Sequence, residues 1–138
     1  MGLSKLPVSH DSLQRLSKLE LHRLADDLIL EEPGAVETCI RFIVAETNGH
    51  WHGRARAMMC RRLKHLTLDP SQNSQLVAAI TRRLSSGQFS EQFRDQLRLA
   101  LALDPERTYA CARDAAASAK HHVRRYAKWV LAHETAPR

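Results

Sequence analysis

Glycine, aromatic residues and long apolar runs are all scarce in this 138-residue chain, and each scarcity narrows what it can be. With five glycines there is no Gly-rich phosphate loop, and neither a serine-centred elbow nor paired carboxylates with an obvious cleft stand in its place. No enzymatic activity is expected. Three cysteines, Cys39, Cys60 and Cys111, lie far apart with no Cys-x-x-Cys, which predicts reduced thiols used as small apolar side chains. No apolar run approaches the roughly 18 residues of a membrane span. The start, Met1-Gly2-Leu3-Ser4-Lys5-Leu6, lacks the blocks of a signal peptide, and Leu6 stands where myristoylation needs Ser or Thr. A cytoplasmic protein without a membrane partner is the expectation.

Leu, Ala and Arg are abundant, and no segment alternates with period two for long enough to be a strand, so the chain reads as all-α and as one domain over residues 1–138. Its net charge of +6 is unevenly spread. Residues 1–49 hold five Lys/Arg against eight Asp/Glu, whereas residues 50–138 hold sixteen against seven. The basic part would attract polyanions or an acidic protein surface, unless it is only a solvated exterior rich in arginine.

The strings Leu66-Thr67-Leu68-Asp69-Pro70 and Leu101-Ala102-Leu103-Asp104-Pro105 recur 35 residues apart, after a weaker version at Leu28-Ile29-Leu30-Glu31-Glu32-Pro33. Each reads as a helix end, an acidic N-cap and a proline opening the next helix. With Ser17-Lys18-Leu19-Glu20 as a capping box, Asn48-Gly49 and Ser86-Gly87 as stops and Ser90 as a cap, they divide the chain into about seven helices. Residues 9–16 form either an earlier turn of the first helix or a short separate one. Short connections predict antiparallel hairpins at 33–66, 70–103 and 105–134 behind an N-terminal cap at 1–32. Trp51, Ala55, Met58, Met59, Leu63 and Leu66 fall on one inward arc of the helix at 51–66.

The second helix of each hairpin carries an apolar-Arg step, Ala55-Arg56, Phe93-Arg94 and Val123-Arg124, followed by Met59 and Leu63, Leu97 and Leu101, or Ala127 and Leu131. This resembles the second helix of a HEAT repeat, and His122-Val123-Arg124-Arg125-Tyr126-Ala127 matches best. The resemblance spans about residues 33–134. It implies an α-α superhelix whose stacked hairpins bury a continuous core and expose a groove for a partner. Where HEAT repeats commonly place an Asp before the second helix, this chain has His50, Gln88 and Ser118. The string ending in Asp104-Pro105 also resembles a tetratricopeptide repeat, which is the second choice.

Arg56, Arg94 and Arg124 occupy equivalent helical positions, and Arg98 and Lys128 follow one turn later. In a stacked array these five form a basic stripe for an acidic protein partner or, alternatively, a nucleic acid; the plainer reading pairs them with acids such as Asp95 or Asp114. Arg62 falls inside the apolar arc and must snorkel, meet an acid such as Glu37 or Glu46, or face a partner. His122, Tyr126, Trp129 and His133 share one side of the last helix, where they either pack on the preceding hairpin or form a hot spot for a partner or a homodimer. Neither His50 with His52 nor His121 with His122 has the spacing of a helical metal site, so no metal or cofactor is expected. A spatial Cys–His pair, for example Cys60 with His65 or His22, is a candidate nucleophile, against the plainer reading of isolated apolar-face cysteines as core.

Overall fold

The computed structural model describes residues 10–134 apart from 46, 50, 90 and 91, and all the regular structure among them is α-helical. The helices are α1 (His10–Gln14), α2 (Lys18–Ile29), α3 (Pro33–Val44), α4 (His52–Leu63), α5 (Pro70–Ser86), α6 (Phe93–Leu103), α7 (Pro105–Ala115) and α8 (His121–Glu134). The eighth helix, one more than the sequence count, is the five-residue α1.

Capping chemistry places most of these boundaries. The Ser17 hydroxyl accepts from the Glu20 N–H at 3.2 Å, while the Glu20 carboxylate accepts from the Ser17 N–H at 2.9 Å. Asp69 and Gln72 exchange the same pair of bonds at 2.8 and 3.0 Å, and Asp104 accepts from the Arg107 N–H at 3.1 Å. Glu32 stands at the α3 N-cap without a side-chain bond. Gly87 ends α5 in the left-handed region, at φ 77°, as Ser86-Gly87 suggests. A Cβ there would also come within 2.9 Å of Val123, so its absence admits the start of α8.

Two expected boundaries are different. Asn48-Gly49 is not a left-handed stop: α3 ends at Val44, and Ala45 leaves at φ −79°, ψ 101°. Asn48 is tied instead to the Gln14 side chain, which accepts from its N–H at 3.0 Å and donates to its carbonyl. The left-handed conformation falls on Trp51, at φ 72° and the N-cap of α4, which takes its indole off the inward arc and leaves it 37% exposed. At the start of α6 the N-cap is Gln92 with no side-chain bond; Ser90 lies outside the described residues.

The chain divides into two compact units, Met1–Thr67 and Leu68–Arg138, with the division inside the Leu66–Pro70 joint. In the first, α2 packs on both α3 and α4, and the core is Leu21, Ala25 and Leu28 against Cys39, Ile40, Phe42 and Ile43 and against Met59, Cys60 and Leu63. In the second, α5 and α7 each pack on all three other helices, around Leu76, Ile80, Leu84, Phe93, Leu97, Val123, Ala127 and Val130. Ala112 and Ala115 are buried on α7, where small side chains let its neighbours come close. Each fully buried Leu, Ile or Phe supplies about 1.5–3 kcal/mol before conformational entropy is counted. No described helix is long and apolar enough to cross a membrane.

Candidate functional site

The three apolar-Arg steps occupy three different environments. Arg56 is buried, 6% exposed, and its Nη2 donates to the carbonyl and the hydroxyl of Thr47, both at 2.7 Å. Its guanidinium also lies 5.3 Å from the Phe42 ring centre. The Thr47 hydroxyl is 2.9 Å from Nδ1 of His52, and Nε2 of that ring is 3.1 Å from the Leu16 carbonyl. With Nε2–H donating to Leu16 and the threonine hydroxyl donating to Nδ1, the set closes as one buried network. Arg56 therefore joins the α3–α4 connector to α4 and is not presented to solvent. Both nitrogens of His52 are engaged, and His50 lies outside the described residues.

Arg124 is half-buried, and its Nη1 donates to the Ser118 carbonyl at 2.7 Å. A backbone oxygen of the α7–α8 connector is thus the acceptor that this arginine meets.

Arg94 is exposed, and α6 and α8 bring it over two rings. Its guanidinium lies 5.9 Å from the centre of Tyr126 and 5.7 Å from that of Trp129. Arg98, one turn on and also exposed, lies 5.3 Å from Trp129 and donates to Asp95 at 3.2 Å. Tyr126 is braced edge-on by Phe93 and Phe89, at 5.7 and 5.0 Å between ring centres. Phe93 is fully buried, so the aromatic surface rests on the core. Trp129 meets His133 at 4.5 Å, and His122 is held 3.0 Å from the Gly87 carbonyl. Lys128 is exposed on α8. Of the residues proposed from sequence, the structure thus gathers Arg94, Arg98, Tyr126 and Trp129.

Arg62 meets an acid, but a different one from those expected. It donates to Asp26 of α2 at 3.4 Å, while Glu37 takes Arg41 at 3.0 Å; Glu46 lies outside the described residues. Cys60 is fully buried, whereas His22 and His65 are exposed. The Cys39 thiol is pushed up to about 12, by burial first and by Asp27 second, against the opposing pull of Arg62. It is thus a protonated packing group at neutral pH.

One feature escaped the sequence reading: a cavity of about 390 Å³ between α2 and α4, with Lys18, His22 and Arg54 beside Leu21, Trp51 and Met58. The four-residue spacings Lys18–His22 and Arg54–Met58 mark a shared face on each helix. Which faces meet depends on α2 packing against α4 across the intervening α3, and no local pattern carries that. No family model, curated protein or solved structure matches this chain.

Proposed function

We infer that the chain is a non-enzymatic HEAT-like binding protein of the cytoplasm, its helix pairs serving as the repeats of an α-α superhelix, and that it holds an acidic segment of a partner protein. The observation that carries this reading is the convergence of Arg94 and Arg98 on Tyr126 and Trp129. Trp, Tyr and Arg are the residues that dominate binding energy at protein interfaces, and Tyr126, braced by the buried Phe93, loses little freedom on binding. The Arg94 guanidinium over those rings offers a carboxylate two donors, Arg98, already donating to Asp95, adds a second positive charge, and the aromatic faces accept an apolar side chain. Arg124 and Lys128 each stand two residues from Tyr126, about 200° around α8, and do not share its face. The three free thiols suit a reducing compartment.

Selection from a displayed peptide library against the full chain tests this reading. The selected peptides should place Asp or Glu around an apolar residue, and R94E/R98E should weaken them at least about tenfold. Peptides without acidic enrichment, or equal binding to the charge-reversed chain, would sink it. Labelled duplex and single-stranded oligonucleotides form the second arm, because the basic excess over residues 50–138 also suits phosphates. Tight oligonucleotide binding, with a log–log salt slope of about 0.7–0.9 per phosphate neutralised, would replace the acidic protein segment with nucleic acid.

A further inference from the structure

We propose that the cavity between α2 and α4 binds a small amphipathic anion: a carboxylate carried on an apolar body. The cavity, about 390 Å³, falls within the size of ordinary small-molecule sites, which are mostly apolar with a few converging polar groups. Its basic groups come from both walls, Lys18 and His22 from α2 and Arg54 from α4, and no carboxylate lines it. The Lys18 ammonium lies 3.9 Å and the Arg54 guanidinium 5.3 Å from the centre of the Trp51 ring. Neither cation has an ion-pair partner among the described residues.

Two cations meeting on one ring, with no acid among the described residues paired to them, favour a negative head group at that end. Arginine offers a carboxylate two parallel hydrogen bonds, and lysine adds a compact charge beside them. Leu21, Ala25, Ala55 and Met58 line the rest, so the body of the ligand is apolar. Met58 is unbranched and only half-buried, which lets that end adapt to shape. The left-handed backbone at Trp51 sets the indole at this cavity and not in the core.

Trp51 itself can report occupancy once Trp129→Phe removes the other tryptophan. In that background the emission is titrated with decanoate, with decylammonium and with decanol, which share one chain and differ in head-group charge. Decanoate should produce a saturable shift, at least about tenfold tighter than either competitor. Arg54→Gln and Lys18→Gln should each weaken decanoate about tenfold with helix content unchanged, whereas Arg23→Gln, exposed on α2 outside the cavity, should leave it unaltered. An absent or unsaturable response overturns the proposal. So does decylammonium or decanol matching decanoate, or Arg54→Gln and Lys18→Gln binding as the parent does.

Discussion

In the unit that ends at Thr67, the arginine of the α4 step points into the interior and is held by Thr47. In the unit that begins at Leu68, the arginine of the α6 step lies outside on two aromatic rings. The second unit buries an arginine as well, but takes it from the preceding helix: Arg83 of α5 donates to Gln96 of α6 at 2.8 Å, with both residues buried. Gln96 lies two residues beyond Arg94, about 200° around the helix at 100° per residue. The inward polar place on α6 is therefore filled by a neutral amide, and Arg94 faces away from it. A guanidinium goes inside only where the fold supplies acceptors, and the source of the acceptor decides which arginine remains for a partner.

The largest expected effect divides these two arginines. Arg56→Ala strands the Thr47 carbonyl and leaves a void beside Phe42, and should cost about 3 kcal/mol in urea unfolding. Arg94→Ala removes an exposed group and should stay within about 0.5 kcal/mol while weakening peptide capture. Equal losses would mean that Arg94 also serves the fold, and the contrast between the units would disappear.

The contrast was partly legible. Four residues after Arg56 stands Cys60, whereas four residues after Arg94 stands Arg98; the α4 face is apolar where the α6 face is charged. Common register at the apolar-Arg steps made the three arginines look alike; the residue one turn later sets Arg56 apart but not Arg94 from Arg124, which Lys128 follows as Arg98 follows Arg94. Thr47 was not legible as the acceptor, because it reaches the interior from an irregular connector that no helical period describes. The same connector explains why Asn48-Gly49 misled: the pair reads as a helix stop, but Asn48 is bonded to Gln14 and Gly49 lies where a Cβ would come within 2.9 Å of the His52 ring. For Arg62 the sequence left three fates open, to snorkel, to meet an acid or to face a partner, and the structure shows a contact with an acid that was not among the named candidates. Its partner, Asp26, lies 36 positions back on α2, a distance only the packing of α2 on α4 bridges.

An alkaline titration sharpens the comparison from the first unit's side, because that unit buries Cys39 where the second leaves Cys111 half-exposed. The Cys39 thiol ionises near 12 when folded and near the usual 9.0 when unfolded, so above pH 9 the unfolded chain holds fewer protons than the folded one. The stability this thiol contributes is complete below pH 9 and is lost progressively as pH rises toward 12. Between pH 9 and 11 the loss should be roughly 2–3 kcal/mol. Cys39→Ala should start lower at neutral pH and show a shallower alkaline decline. An unchanged slope would assign the decline to other groups.

The smallest effect concerns the repeated joints, alike in sequence and unlike in chemistry. Asp69 reaches the Gln72 N–H and receives the Gln72 side chain in return, whereas Glu32, at the same place before Pro33, makes no cap bond. A carboxylate on one methylene bridges an N-cap to the third helical N–H, and the longer glutamate does not fit that geometry as well. Asp69→Ala should therefore cost about 1 kcal/mol, and Glu32→Ala only a few tenths. Glu32→Asp should recover part of the missing bond and raise stability. If Glu32→Ala costs as much as Asp69→Ala, the acid at these joints acts through its charge near the helix dipole and not through its hydrogen bond, and the weaker joint at Pro33 becomes the equal of the other two.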